Sequence, residues 1–264
     1  MTPGSKISPA ARQDEPLRFS IITCTRNSAE FLRDTLTSVA AQTYRNFEHI
    51  FVDGGSTDGT LDMIAQVPGD VQVIDDAALG ISHAMNAGIL AARGDVILHL
   101  HSDDYLPHPR CLQRVAMHFQ QQGCSWLYGR ALSDRHGYWT PELPVFHPYS
   151  YRRLLKGYII PHVATYVRRD LFERVGLFDE SLRYTMDYDM WLRLGRVEDP
   201  FQTREFLGVF RAHSGSTTHA NRLASLLEEH RVRRTYLSPW APSRLVHELR
   251  QLKRRYDLRR APTF

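Results

Sequence analysis

Gly94-Asp95-Val96-Ile97-Leu98-His99-Leu100-His101-Ser102-Asp103-Asp104 is the stretch from which the rest of the chain is read. It reads as a buried strand that ends abruptly in two adjacent carboxylates. Two ionised carboxylates side by side repel, so a fold keeps them cheaply only beside a cation or hydrogen-bond donors. Oxygen ligands at the carboxyl end of a strand suit a hard divalent ion such as Mg²⁺ or Mn²⁺, shared with substrate phosphates. The plainer alternative is a solvated loop in which Asp103 or Asp104 caps the next helix.

The segments on the N-terminal side repeat one pattern. Phe19–Cys24 is β-prone and apolar, and Asn27 or Ser28 can cap a following helix that carries Phe31, Leu32, Leu36 and Val39 at helical spacing. Phe47–Val52 is a second strand, closed by Asp53-Gly54-Gly55-Ser56-Thr57-Asp58-Gly59. A helix from about Thr60, a strand at Val71–Ile74 and a helix over Ser82–Ala92 lead into the opening stretch. Strand and helix alternating through short loops predict an α/β fold with a mostly parallel sheet. Ligands then bind at the carboxyl ends of the strands, where Asp53, Gly80 and Asp103–Asp104 should lie.

Beyond Gln122 the pattern loosens. Strands are expected at Ser125–Gly129, Val163–Val167 and Phe206–Phe210, and helices at Asp170–Val175, Asp187–Arg196, Leu223–Tyr236 and Ser243–Tyr256. Tyr138 to Tyr151, rich in proline and aromatics, reads as a substrate-facing loop region. The polar, Pro- and Ser-containing residues 1–17 read as disordered.

With 264 residues, 42% of them hydrophobic and 23% charged, the chain has the composition of a soluble globular protein. No apolar run approaches the roughly 18–20 residues that span a bilayer. The three cysteines, Cys24, Cys111 and Cys124, form no CxxC, so neither a disulfide framework nor a zinc site is expected. The expected compartment is a reducing cytosol. The net charge of +4 is uneven: from Arg231 onward ten basic residues face only Glu248 and Asp257.

The motifs follow one another in a telling order: Thr25-Arg26-Asn27, Gln42-Thr43-Tyr44, Val52 to Thr60, Gly80 to Ile89, Ser102-Asp103-Asp104, Val175 to Glu180, and Asp187-Tyr188-Asp189-Met190-Trp191-Leu192-Arg193. This set resembles the family 2 glycosyltransferases, particularly those that assemble bacterial surface polysaccharides. The resemblance runs from about Phe19 to Thr218 and implies a GT-A fold: a mixed, mostly parallel sheet flanked by helices, here with a C-terminal helical extension. It divides the chain into a glycosyltransferase domain, 18–218, and a basic helical tail, 219–264. Within the domain, 18–110 is the nucleotide-binding half and 111–218 the acceptor and catalytic half.

The resemblance also implies the chemistry: a sugar passes from a nucleotide-diphosphate donor to a hydroxyl of a saccharide or lipid-linked saccharide, with a divalent metal (Mg²⁺ or Mn²⁺) as cofactor. Asp53 corresponds to the aspartate that reads the nucleotide base, although an Asx turn before Gly54 and Gly55 explains it equally well. Asp103 corresponds to the metal-binding aspartate of the DxD motif, Asp104 to its neighbour, and His213 to a histidine beside the metal and diphosphate. Thr25, Asn86, His101 and Ser102 fall at donor-contacting positions. Asp187 corresponds to the base of the inverting members, which takes the acceptor's proton. Asp189 lies about 200° further round a helix and cannot face the same cleft. For either aspartate, first-turn placement in a helix is the structural alternative.

Several positions depart from the family pattern. Gly54, His83, Ala87, His101 and Met186 replace residues that are commonly acidic, acidic, lysine, aspartate and glutamate respectively. Arg93 or His83 could stand in for the missing lysine at 87. His162, Tyr149 and Tyr151 are candidates to face the acceptor.

In the tail, Leu245, Val246, Leu249 and Leu252 recur at helical spacing among Arg244, Arg250, Lys253, Arg254 and Arg255. Such a segment can lie on an anionic membrane at the inner face or pack in a homodimer, and a solvated face is the alternative. No motif points to nucleic acid. The rival to an enzyme is a noncatalytic nucleotide-sugar-binding subunit of a polysaccharide assembly complex.

Overall fold

A computed structural model describes residues 16–76, 80–143, 145–213, 221–237, 247–249 and 251–254. One sheet organises them. Its strands are β1 (Phe19–Thr25), β2 (Phe47–Asp53), β3 (Val71–Asp75), β4 (Val96–His99), β5 (Trp126–Arg135), β6 (Tyr138–Pro141), β7 (Thr165–Arg168) and β8 (Phe201–Arg211). The order is β3-β2-β1-β4-β7-β5-β6, with β8 pairing β5. The β1–β2, β2–β3, β1–β4 and β5–β8 pairs are parallel, while β7 runs antiparallel to β4 and β5.

The helices are α1 (Leu32–Ala40), α2 (Thr60–Ile64), α3 (Ile81–Ala91), α4 (Cys111–Gln122), α5 (Tyr151–Leu154), α6 (Arg169–Val175), α7 (Met186–Val197) and α8 (Arg222–Tyr236). Side chains alternate across β4: Val96 and Leu98 join one core with Phe19, Ile21 and the apolar stripe of α4, whereas Ile97 joins Ile22, Val52, Trp126 and the inner faces of α3, α6 and α7. A strand covered on both faces needs a nearly continuous apolar run, which explains Val96–Leu100. Cys24, Cys111 and Cys124 are buried and free, and Trp191 and Leu194 belong to the core.

Several expectations are adjusted. The first helix starts at Leu32, because Asn27 and Ser28 serve the neighbouring loop: Asn27 Oδ1 accepts from the Thr57 N–H at 2.8 Å and Ser28 N–H donates to Thr60 Oγ1 at 2.8 Å. The stretch from Tyr138 is not a loop throughout. His136 and Gly137 turn the chain at positive φ and Tyr138–Pro141 pairs back on β5 as a hairpin, while Tyr151–Leu154 is helical. Leu17, placed in the disordered N-terminus, is buried in the second core, and its carbonyl accepts from Tyr44 Oη; residues 1–15 lie outside the described residues.

Arg93 cannot stand in for a phosphate partner at residue 87. It sits at the opposite end of the sheet, bonded to Glu48 at 2.7 Å and Asp70 at 2.8 Å. Of the tail, α8 and helical residues 247–249 and 251–254 are described; Arg244, Leu245, Val246, Arg250 and Arg255 lie outside them. Among the described residues no helix is long and apolar enough to cross a membrane.

Helix α3 lies so close on β1 that a Cβ on Gly88 would sit 2.4 Å from Ile22 Cγ2. Gly88→Val should therefore lower stability by about 1–3 kcal/mol, the usual cost of overpacking a tight core, in urea unfolding. An unchanged midpoint would show that α3 moves freely on the sheet.

Candidate active site

Parallel pairing in register brings the functional ends of the strands together. Thr25 lies opposite Asp53, and the Leu100 N–H donates to Ile22 O, so β1, β2 and β4 finish on one edge. Asp53 is buried there and saturated. Its Oδ1 accepts from the Gly55 and Ser56 N–H groups at 3.0 and 2.7 Å, and its Oδ2 from Thr25 Oγ1 at 2.7 Å and Ser56 Oγ at 2.6 Å. Burial alone would raise its pKa, but the Ser56, Thr25 and Gly55 donors outweigh it and hold the carboxyl below its ordinary value. The turn-building role is thus in place, and Thr25 acts through Asp53.

The loop after β4 is gripped from two sides. On α1, Thr35 Oγ1 donates to the carbonyls of Ser102 and Asp104 at 3.0 and 2.7 Å, while the Ser102 and Ser28 hydroxyls lie 2.8 Å apart. From the other side comes the end of β8, which bridges Tyr105 through paired backbone bonds with Val209. This bridge delivers Arg211, whose N–H donates to Asp104 Oδ1 and whose Nε donates to Asp103 O, both at 3.1 Å. The guanidinium lies between the Phe31 and Tyr105 rings, 5.2 and 5.3 Å from their centroids, and also pairs with Asp34.

Two residues further on, His213 Nε2 meets Asp103 Oδ2 at 2.9 Å. Asp103 and His213 both keep an accessible face. Among the described residues no three His, Cys, Asp or Glu side chains converge as a closed metal cage. One carboxylate and one imidazole fit an ion that takes its other ligands from phosphate and water, and the imidazole favours Mn²⁺ over Mg²⁺. Asp104 is different. It is buried, and burial followed by the neighbouring Asp103 charge pushes its carboxyl well above the usual range.

His101 does not point to open solvent. Its ring stacks on His162 with centroids 5.0 Å apart and planes 11° apart, and its Nδ1 is buried without a partner. Burial lowers the pKa of both rings, and neutral rings stack without like-charge repulsion. His162 also meets Trp191 of α7 at 5.9 Å. Asn86 is committed elsewhere: Nδ2 donates to Phe178 O and Glu180 Oε1, and Oδ1 accepts from the Phe178 N–H, so its amide ties α3 to the loop before α7. His83 meets Glu180 at 3.0 Å.

Asp187 occupies the first turn of α7, half-buried, with Oδ1 accepting from the Tyr188 N–H at 2.8 Å. Burial, reinforced by Glu142 and Glu228, pushes its carboxyl up to about 7, the range in which a carboxylate works as a base at neutral pH. Asp189 faces away and bonds Arg193 at 2.8 Å and Tyr236 Oη at 2.7 Å.

Sequence reasoning missed three residues. Arg211 is a cation ending an apolar strand, next to His213, and that contrast was its signal. Glu142 follows β6 and is held by its N–H bond to Ala131 O. Its Oε2 is buried without a partner, burial raises its pKa to about 7, and its charge acts on both Asp104 and Asp187. Its signal was a lone acid in an aromatic, Pro-rich stretch. Glu228, an acid near the middle of α8, reaches back to the turn before α7.

Comparison with known proteins identifies the family and the fold. Residues 20–176, more than half of the chain, match the family described as Glycosyl transferase family 2. An uncharacterised glycosyltransferase of Rickettsia prowazekii is 32% identical over 220 residues, covering 80% of this chain and 68% of the relative. A PGL/p-HBAD biosynthesis glycosyltransferase of Mycobacterium bovis is 35% identical over 181 residues, covering 66% and 68%. The crystal structure of S. aureus TarS residues 1–349 with UDP-GlcNAc superposes with a TM-score of 0.66 at 19% identity, over 83% of this chain and 65% of that one. The mannosyltransferase PcManGT of Pyrobaculum calidifontis, with GDP-Man and Mn²⁺, gives 0.65 at 17% identity, over 90% and 71%. The fold is GT-A.

Arg211→Met keeps the stem between the two rings and removes the guanidinium. It should cost about 1–3 kcal/mol, the range for hydrogen bonds to a charged group, in urea unfolding. A variant as stable as the wild type would mean that the loop after β4 does not rely on Arg211.

Proposed function

The chain belongs to glycosyl transferase family 2 and is a glycosyltransferase, and from that premise we propose that it is a metal-dependent, inverting enzyme with Asp187 as its base. The observation that carries this reading is a carboxylate on the first turn of α7, raised to about 7 and lying under the same Glu142 charge that reaches Asp104 beside Asp103. Asp187 takes the proton of the acceptor hydroxyl while its oxygen attacks the anomeric carbon. The new C–O bond forms on the face opposite the departing diphosphate, so the configuration inverts.

Asp103 and His213 would hold a divalent ion, and the charge it supplies would offset the charge developing on the diphosphate. Asp53, with Thr25 and Ser56, shapes the loop against which the nucleotide base lies, and a base N–H would compete with the Ser56 hydroxyl for Oδ2. The donor is a UDP-, GDP- or dTDP-sugar, and the acceptor is a saccharide or lipid-linked saccharide of polysaccharide or glycolipid synthesis.

We further propose that the enzyme works in the cytoplasm at an anionic membrane surface. Leu249 and Leu252 are 58% and 60% exposed, beside the exposed Lys253 and Arg254, while Gln251 and His247 face inward. The tail's polar residues thus fill the contact with α8 and its leucines face out.

In a panel of donors assayed for nucleoside diphosphate release, Asp187→Asn should abolish turnover and leave donor affinity, by calorimetry with Mn²⁺, within about threefold. Retained turnover would refute the base role. Asp103→Ala should remove the Mn²⁺-dependent part of donor binding, and EDTA should do the same to the wild type. A base must be deprotonated to act, so kcat/KM should fall as pH drops below about 7; a profile flat down to pH ~5, well below that value, would contradict the assignment. Leu249→Glu with Leu252→Glu should reduce sedimentation with phosphatidylglycerol vesicles, and unchanged sedimentation would rule out this face.

A further inference from the structure

Helices α7 and α8 both lie beyond the family match, which ends at residue 176, and α8 shapes the first turn of α7. Glu228 is the point of contact, and its side chain is only 11% exposed. Its Oε2 accepts from the Tyr184 N–H at 2.7 Å, the Thr185 N–H at 2.9 Å, Thr185 Oγ1 at 3.1 Å and the Arg183 N–H at 3.2 Å. Its Oε1 accepts from the Arg183 N–H at 3.1 Å. Three consecutive backbone N–H groups converging on one carboxylate form an anion-binding nest. Here the anion belongs to the protein.

The nest sits directly before α7. Thr185 is the N-cap of that helix and makes no cap bond of its own, because its hydroxyl is turned to Glu228. Residues that start a helix leave N–H groups without intrahelical partners, and a carboxylate there satisfies them and favours the helix dipole. The seam then continues along α8. Arg233 Nε lies 3.3 Å from Tyr188 Oη, and Tyr236 Oη donates to Asp189 Oδ1 at 2.7 Å. Residues 185, 188 and 189 are therefore each held by α8, while Asp187, between them, accepts from the adjacent Tyr188 N–H instead.

We propose that Glu228 is a positioning residue for catalysis. By gripping Arg183–Thr185 it fixes where the first turn of α7 begins, and so the depth and angle at which Asp187 meets the acceptor hydroxyl. The inference rests on the reading of Asp187 as base. It makes α8 a working part of the catalytic half and leaves only the residues after Tyr236 as a peripheral tail. A small displacement of a base from its reacting atom is enough to cost orders of magnitude in rate.

The test uses the full chain with Glu228→Ala, Glu228→Gln and Asp187→Asn. Hydrogen exchange is followed in peptides covering 183–189 and, as a control, β1 and β4. Nucleoside diphosphate release is followed with the donor that binds the wild type most tightly among UDP-GlcNAc, UDP-glucose and GDP-mannose. Glu228→Ala should speed exchange in 183–189 alone and lower kcat at least about tenfold with donor KM within about twofold. Glu228→Gln keeps an acceptor oxygen and should recover most of both.

Wild-type kcat in Glu228→Ala, with Asp187→Asn inactive, would overturn the proposal while sparing the base. Full turnover by Asp187→Asn would remove the base and the proposal with it, and the exchange data would then report a purely structural cap. Faster exchange in β1 and β4 as well would show a global effect and overturn the proposal too.

Discussion

The arrangement of the site depends on one cation. Arg211 reaches the loop after β4 with its backbone and its side chain at once, binding Asp104 Oδ1 through its N–H and Asp103 O through Nε. It can do so because Val209, two residues earlier, pairs with Tyr105. The same strand end then places His213 beside Asp103. Two side chains 110 residues apart in sequence thus meet through a backbone ladder, which a flexible loop would not hold in register. The stacking of Arg211 between Phe31 and Tyr105 adds α1 to the same junction.

Four carboxylates are set apart by their surroundings. Asp53 has four donors and is held low, whereas Asp187 and Glu142, with few, are raised to about 7, and Asp104 is pushed up by burial beside Asp103. The consequences for stability have opposite signs. Asp53 contributes stability that is present above its unfolded value and lost as pH falls through its lower folded value. Asp187 and Glu142 bind their protons more tightly in the folded chain, so their contribution is full below the unfolded values and lost as pH rises toward 7. A site that keeps such groups buried accepts that cost in return for reactivity. The unpartnered Oε2 of Glu142 belongs with them.

How much of this was legible depended on range. The strands that feed the edge were readable because an apolar run ending in a polar residue is a local pattern, whereas Asp53, Asp103, Asp187 and His213 are singled out by resemblance to a family. The β6 hairpin was hidden because exposed aromatics and proline dominate a strand whose outer side is solvent. Asn86 is a donor contact by the resemblance alone, yet its amide is spent on Phe178, a partner 92 residues away. Asp187 could be placed on its helix, but Glu228, which grips the turn before that helix, could not be found: a long-range cap has no signature in spacing.

The two ends of the parallel strands show why chemistry collects at one of them. At the amino ends Glu48 is almost wholly buried, yet Ser20, Arg93 and the Gly94 N–H converge on it, and Arg93 and Arg18 also hold Asp70. Each charge in that network has its opposite within the fold, and the network closes on itself. At the carboxyl ends the loops turn into helix starts, where backbone N–H groups attract anions, and Asp53, Asp103 and Asp104 gather on the same edge. Arg211 is shared between Asp34 and the backbone of Asp103, so among the described residues the Asp103 carboxylate pairs with His213 alone. A fold that leaves this imbalance on one edge and removes it on the other is one in which the cation and diphosphate of the proposed reaction would complete the charge pattern.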